Sequence, residues 1–212
     1  MSVTLIGLVG ASGAGKTTVA DRLVASHGYI KFHIGTPLKG MLQALGVPEA
    51  DLHASPHSRK KPHELLCGKS VRFALSTLGT EWGRETIGES IWSMNLEKRL
   101  ERHFEIGGGA VIVDDLRFPS DWSAIKNLGG FLVCVRRTEV EAKRSLYDNL
   151  YHRHGQKCFL PKKLASKFAV HETEFHWRDA PIDFEVHNDA DPEFVAKKLY
   201  KRISKIASNP AV

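Results

Sequence analysis

Residues 3–18 read VTLIGLVGASGAGKTT, and this stretch decides the fold. The apolar run from Val3 to Val9 has the length of a buried β-strand, and a helical pattern follows from Lys16 to about Ser26. Between them stands Gly10-x4-Gly15-Lys16-Thr17, the full pattern of a phosphate-binding loop in the strand, loop and helix context that the pattern requires. The stretch therefore predicts an α/β protein with a nucleotide site.

The chemistry of such a loop assigns a role to each of its parts. Backbone N–H groups at the start of the helix surround the phosphates, the lysine reaches the β and γ oxygens, and the hydroxyl after it holds Mg²⁺. A glycine turn with a purely structural role is the alternative. We expect the nucleotide-binding residues to be Gly10, Ala11, Ser12, Gly13, Ala14, Gly15, Lys16, Thr17 and Thr18, with Thr17 as a metal ligand.

The rest of the chain alternates between short strand patterns and helical patterns. A parallel, doubly wound sheet of five strands with helices on both faces is the architecture that this alternation predicts. The strand patterns after the first are residues 29–34, 110–113, 131–135 and 183–186. The helical patterns are residues 36–45 with Thr36 as the cap, residues 70–78, 90–104 and 119–128, a helix opened by a capping box at Thr138 and Glu141, and a closing helix capped by Asp191.

Three segments do not fit the alternation. Residues 47–69 predict a mobile connection or short helices outside the sheet, and the polar residues 79–84 predict a ligand-holding loop. The basic and aromatic residues 147–167 predict a lid. We expect one domain over residues 1–212, with an acceptor region at 36–105 and a lid-like region at 138–175.

The composition excludes several classes of protein. The chain has 212 residues, of which 42% are hydrophobic and 25% are charged, so disordered and fibrous classes are excluded. No stretch approaches the roughly 18 apolar residues of a membrane helix. The three cysteines form no paired motif, which predicts neither a disulfide framework nor a zinc site and fits a reducing cytoplasm.

The net charge of +6 favours an anionic partner. Basic residues concentrate at His53–Arg72 and at Arg136–Lys167. This distribution does not by itself distinguish DNA from a small phosphorylated metabolite.

Asp114 and Asp115 close an apolar strand, which places carboxylates at the edge of the sheet where ligands of α/β proteins bind. Because side chains alternate along a strand, the two carboxylates point to opposite sides. One of them is expected to serve Mg²⁺ or the acceptor and the other to cap a turn. We expect Asp115 to be the metal ligand.

Arginines follow the same strands. Arg117 lies where it could bind an acceptor phosphate, and Arg136 and Arg137 follow the next strand at the same edge. Arg144 and Arg153 lie in the basic segment. Convergent arginines are what a phosphoryl-transfer transition state requires, although part of this set is expected to be ordinary surface charge.

Aromatic residues and histidines offer weaker signals. Trp82 and Trp92 could stack on a base, and Trp92 fits the core of an amphipathic helix equally well. His152, His154 and Cys158 lack the spacing of a metal motif. We expect no metal site there.

With these residues in place, the chain resembles the deoxynucleoside monophosphate kinases of bacterial viruses, a branch of the P-loop nucleoside monophosphate kinases. The resemblance covers most of the chain. Its more specific marks are LGTEWGR at residues 78–84 and DDLRFP at 114–119. The others are Gly10–Thr17, Gly35-Thr36-Pro37-Leu38-Lys39, Arg72, Ile91-Trp92 and His171-Glu172-Thr173-Glu174.

The resemblance implies transfer of the γ-phosphoryl group of ATP to a deoxynucleoside monophosphate (dNMP), with Mg²⁺. It implies catalytic roles for Lys16, Asp115, Arg117 and Arg137, the last also on the ATP side. The implied substrate-binding residues are Lys39, Arg72, Gly79, Thr80, Glu81, Trp92, Asp114 and Arg117. It further implies a small-molecule partner rather than nucleic acid or membrane, and a cytoplasmic location, in the host if the protein is viral; a homodimer stays open.

Two alternatives remain. A hydroxyl kinase such as dephospho-CoA kinase or a sugar kinase would use Asp115 as a base, whereas a P-loop ATPase that binds nucleic acid would use the basic charge. A GTPase is disfavoured because the chain has no NKxD motif and no DxxG glycine after Asp115.

Overall fold

The computed structural model describes residues 5–55, 57–141 and 176–208. The chain forms two compact units. The first consists of Met1–Lys31 and Gly108–Val212, and the second of Phe32–Gly107. Of the predicted lid-like region, only residues 138–141 are described.

A five-stranded, all-parallel sheet confirms the predicted architecture. Its strands lie in the order β2-β3-β1-β4-β5, so the strand that leads into the phosphate loop is central. They are β1 (Leu5–Val9), β2 (Ile30–Phe32), β3 (Val111–Val113), β4 (Phe131–Arg136) and β5 (Phe184–His187).

Seven α-helices lie in the described part of the chain, apart from the helical residues 138–141. They are α1 (Lys16–His27), α2 (Thr36–Ala44), α3 (Glu49–Leu52), α4 (Val71–Thr77), α5 (Ile91–Glu105), α6 (Pro119–Asn127) and α7 (Pro192–Ser208). Helices cover both sides of the sheet, as the sequence predicts.

The alternation of side chains along β1 builds a core on each face of the sheet. Ile6 and Leu8 are fully buried in a cluster with Leu23 of α1 and Leu199 of α7. A Cβ on Gly7 would point to the other face, where it would collide with Leu116 and Leu132 and lie in tight contact with Ile125 of α6. Burial of apolar surface at about 25 cal/mol per Å² is what holds both helical layers on the sheet.

The second unit is helical and has its own small core. Leu42, Val47, Leu52 and Val71 are buried together. The segment predicted as a connection or short helices contains α3 and two 3₁₀ turns, Ser58–Lys60 and Glu64–Leu66. Ser70 caps α4 by accepting a hydrogen bond from the N–H of Phe73 at 3.1 Å.

The prediction of a loop at residues 79–84 is wrong, because Leu78–Ile87 forms a π-helix. The N–H of Gly88 donates to the carbonyl of Gly83 at 2.9 Å, a bond that spans five residues. Such wide helices are rare and are frequent at functional sites. Two glycines and polar residues suggested a loop, but packing against α5 overrides that local preference.

Two predicted helix starts also differ. The cap of α2 is Gly35, and the Thr36 hydroxyl instead donates to the carbonyl of His33 at 3.0 Å. The capping box at Thr138 and Glu141 does not form, because Thr138 bonds to Asp189 and Glu141 pairs with Arg136. Distant partners outcompete the local bonds at both residues of the box.

Within the described ranges, none of the helices combines the length and the apolar character needed to cross a lipid bilayer.

Candidate functional site

The phosphate loop lies at the carboxyl edge of the central strand. Gly10 and Gly15 have φ angles of +132° and +91°, which side chains rarely tolerate. A Cβ on Gly10 would overlap the carbonyl oxygen of Val135, and one on Gly15 would overlap the amide of Asn188. Tertiary contacts therefore require glycine at both ends of the loop.

Lys16 folds back over the loop. Its Nζ donates to the carbonyl oxygens of Gly10 at 2.7 Å and Ala11 at 3.0 Å. Ser12 and Gly13 are exposed in the loop, and Thr17 and Thr18 are exposed in the first turn of the twelve-residue helix α1. The loop thus presents an ammonium group, hydroxyls and a helix N-terminus to solvent, which is the chemistry that a phosphate needs.

Asp114, directly after β3, is held in a buried ion pair. Its carboxylate lies 3.1 Å from Nζ of Lys31, which also contacts Asp21 of α1 at 2.7 Å. Burial alone would lower the pKa of Lys31, but the hydrogen bonds and charges of Asp21 and Asp114 outweigh it and raise that pKa. Asp114 is 5% exposed, whereas Asp115 is half-buried.

Asp121 shapes the turn that leads to Arg117. Its Oδ2 accepts the N–H groups of Arg117 and Phe118, each at 2.9 Å, and the residue is almost completely buried. The guanidinium of Arg117 is carried on this braced turn, and the residue is exposed. The turn thus places Arg117 at the surface of the first unit.

Arg136 and Arg137 have different environments. Arg136 donates to both oxygens of Glu141 at 2.8 Å and to Glu185 at 3.2 Å. The hydrogen bonds to Glu141 and Glu185 raise the pKa of Arg136. Arg137 is exposed, and its Nη2 lies 3.8 Å from a carboxylate oxygen of Glu139. Arg136 is therefore a structural residue, while Arg137 remains the residue proposed to reach ATP.

Acidification is expected to weaken the Arg136–Glu141 pair. The hydrogen bond from Arg136 lowers the pKa of Glu141 below its ordinary 4.5, so the pair stabilises the fold above that value and loses this effect as the pH falls through the lower, folded pKa. Thermal unfolding from neutral pH down to about pH 3 should show a steeper loss for the wild type than for Glu141→Gln. Equal slopes would contradict this assignment.

In the second unit, Trp92 and Trp82 have different environments, which bear on the two roles considered for them, packing in the core and stacking on a base. Trp92 is 4% exposed, and its Nε1 donates to the carbonyl oxygen of Gly79 at 2.8 Å. Its ring packs against Gly83 so closely that no side chain fits there. Trp82 is 39% exposed, and its ring lies 5.9 Å from that of Trp92. Trp92 thus holds the π-helix to α5, and Trp82 is the more exposed indole.

The other predicted acceptor residues also lie in the second unit. Nζ of Lys39 is 3.4 Å from Nδ1 of His53, and Arg72 is exposed in the first turn of α4. Thr80 is half-buried and Glu81 exposed within the π-helix. Their roles stay predictions. Arg144, His152, Arg153, His154, Cys158 and residues 171–174 lie outside the described residues.

The chemistry of the donor set at the edge of the sheet fits Mg²⁺ and a nucleotide. The Thr17 hydroxyl and the Asp115 carboxylate are oxygen ligands of the kind that Mg²⁺ prefers. Lys16 and the start of α1 supply the positive charge that ATP phosphates require. The residues present therefore fit both groups.

Comparisons with known proteins agree with this picture. No family model matches the chain. A protein of Acanthamoeba polyphaga mimivirus, provisionally named a deoxynucleotide monophosphate kinase, is 26% identical over 145 residues, which are 64% of this chain and 75% of that protein.

Two solved structures have a similar fold. Shikimate kinase from Acinetobacter baumannii, in complex with shikimate, has a TM-score of 0.50 and 14% identity over 96% of this chain and 94% of that chain. TT1252 from Thermus thermophilus has a TM-score of 0.50 and 18% identity over 97% of this chain and 99% of that chain.

The phosphate loop on a central parallel strand, together with these similarities, decides the fold. The chain has the fold of the P-loop kinases. Its sheet confirms the fold that the resemblance implies.

Three residues that contact the candidate site residues or their backbone were not singled out from the sequence. Lys31 neutralises Asp114, Asp121 braces the turn before Arg117, and Asn188 contacts the phosphate loop. Asp121 carried a local signal, since an acid in the first turn of a helix can accept the N–H groups before it. Lys31 and Asn188 had no comparable signal, because their partners are distant in sequence.

Proposed function

We propose that this P-loop kinase transfers the γ-phosphoryl group of ATP to a deoxynucleoside monophosphate, giving ADP and a deoxynucleoside diphosphate. The observation that carries the choice of acceptor is the similarity to the mimiviral protein over 145 residues. The phosphate loop with its exposed hydroxyls and Lys16 supports ATP as the donor. The proposal takes a small nucleotide, not a nucleic acid, as the partner.

Lys16 neutralises the β and γ oxygens of ATP as charge moves during transfer, and backbone N–H groups of the loop hold the same phosphates. Thr17 and Asp115 would hold Mg²⁺, which when bound neutralises further phosphate charge. Arg137 assists on the ATP side. The first unit therefore supplies the groups that bind and polarise the donor.

Arg117, Lys39 and Arg72 each carry a cation of the kind that forms charge-assisted hydrogen bonds with an acceptor phosphate. The π-helix, with Gly79, Thr80 and Glu81, contributes to the nucleoside site. Trp92 shapes that site by holding the π-helix, as its bond to Gly79 supports. Asp114, paired with Lys31, acts by positioning rather than by contact.

The reaction needs no strong general base. A phosphate monoester loses its second proton with a pKa of about 6, so the acceptor oxygen is already largely ionised at neutral pH. A hydroxyl acceptor would instead need a base such as Asp115. The identity of the acceptor therefore decides the role of this acid.

The test is release of ADP from Mg-ATP with a panel of acceptors. The panel contains the four common dNMPs, the matching ribonucleotides, dephospho-CoA, gluconate, shikimate, single-stranded DNA and no acceptor. The Lys16→Ala protein, prepared in parallel, reports any contaminating kinase. Turnover confined to deoxynucleoside monophosphates supports the proposal.

Other patterns of turnover contradict the proposal. Turnover only with a hydroxyl acceptor identifies a small-molecule kinase. Turnover that is stimulated by DNA, or that needs no acceptor, identifies an ATPase.

A further inference from the structure

Asn188, directly after β5, touches the phosphate loop. Its Nδ2 donates to the carbonyl oxygen of Ala14 at 2.9 Å, and the residue is 7% exposed. Its own backbone N–H donates to the carbonyl of Arg136 at 2.7 Å, which continues the pairing of β5 with β4. The amide is therefore held from the sheet and directed at the loop.

The neighbouring residues hold Asn188 in place. Asp189 accepts both the N–H of Thr138 at 2.8 Å and its hydroxyl at 2.7 Å. Gly15 leaves room for the Asn188 amide where any other residue would place its Cβ. Only a donor can face a carbonyl, so the chemistry of Ala14 also sets which end of the amide points to the loop.

The hydrogen bond to the Ala14 carbonyl also sets the direction of the N–H group that follows it. A trans peptide is planar, with its C=O and the following N–H pointing in opposite directions. Fixing the Ala14 carbonyl toward Asn188 therefore turns the N–H of Gly15 away from Asn188. That N–H immediately precedes α1, where the backbone donors lack partners within the helix. Such donors are the ones that bind phosphate in a loop of this kind.

We propose that Asn188 is a positioning residue for nucleotide binding, which orients the Ala14–Gly15 peptide so that the loop is ready for the phosphates of ATP. This inference rests on the ATP-binding half of the proposed function. It does not depend on the identity of the acceptor. Asn188 acts through the loop and does not itself contact the reacting atoms.

The experiment compares two variants of nearly equal size that both lack the donor. Asn188→Asp replaces the donor with an acceptor facing the Ala14 carbonyl, and Asn188→Leu replaces it with an apolar group. The matched control is Asn95→Asp, on an exposed face of α5. Affinity for Mg-ATP and for Mg-ADP is measured by calorimetry, with thermal unfolding as the check on folding.

Both Asn188 variants should bind Mg-ATP about tenfold more weakly than the wild type, the size expected for one lost hydrogen bond. In steady-state assays KM for ATP should rise while KM for the acceptor stays constant. Asn95→Asp should leave both unchanged. A residue that only fills space would leave ATP affinity intact in the variants of equal size, and that result overturns the proposal.

A measurement on the wild type covers the case in which the variants fail to fold. The side-chain NH₂ resonances of Asn188 should shift on addition of Mg-ATP, because the loop that they contact becomes occupied. Unchanged resonances at saturating Mg-ATP overturn the inference. Failure of the wild type to bind Mg-ATP at all contradicts the proposed function instead, so the two failures are distinguishable.

Discussion

Replacing Lys16 with alanine is expected to lower the turnover number with Mg-ATP by about 100- to 1000-fold, the effect of removing one group that stabilises transition-state charge. The Lys16 Nζ is the cation of the loop itself, and it already contacts two loop carbonyls. Since phosphoryl transfer depends on neutralising charge rather than on covalent help from the protein, loss of this cation should slow the reaction. Initial rates at saturating ATP and acceptor measure the loss.

Lys201→Ala is the control for this experiment, because Lys201 is an exposed lysine on α7 with no part in the site. Its turnover should equal that of the wild type. Thermal unfolding of Lys16→Ala shows whether the loop still folds without the two lysine bonds. A folded Lys16→Ala protein with wild-type turnover would remove the phosphate loop from the mechanism.

Replacing Arg72 or Arg117 with alanine is expected to raise KM for the acceptor by about 10- to 100-fold, the range for a lost hydrogen bond to a charged group. Both arginines are exposed, so their truncation should leave the core intact. KM for ATP should change far less, because the ATP phosphates are assigned to the loop. Steady-state kinetics with each substrate varied in turn separate the two constants.

Arg102→Ala provides a matched control, since Arg102 is an exposed arginine on α5 with no assigned role. Its acceptor kinetics should match those of the wild type. If Arg72→Ala and Arg117→Ala both behave like this control, the assignment of the acceptor site is wrong. If only one is affected, that arginine alone binds the acceptor phosphate.

Local sequence patterns predicted the strands of the sheet but not the π-helix. Strand patterns predicted all five strands close to their observed positions. The signal is a continuous apolar run in β1, β3 and β4, because these inner strands are buried on both faces of the parallel sheet, whereas the edge strands β2 and β5 are only partly buried. The π-helix at Leu78–Ile87 was predicted as a loop. Its glycines and polar residues favour a loop locally, and its helical path is supported by Trp92 and other packing that the local pattern does not encode.

Asp114 and Asp115, directly after β3, also show the limit of what the local sequence predicts. The sequence placed Asp114 and Asp115 at the ligand edge of the sheet but left the division of their roles open. The structure shows Asp114 buried against Lys31, which lies on the strand that pairs with β3. Because strand order determines that pairing, no spacing between the residues could reveal it.

The sequence by itself determined the phosphate loop, its place between a strand and a helix, and the α/β class of the fold. Each of these depends on residues close together in the chain, whose backbone preferences and spacing can be recognised from a short stretch of sequence. Only the tertiary structure decided the partners of Asp114, Arg136 and Ala14. Ala14 and Asn188 are 174 residues apart, and they meet because β1, β4 and β5 lie side by side and end at the same edge of the sheet.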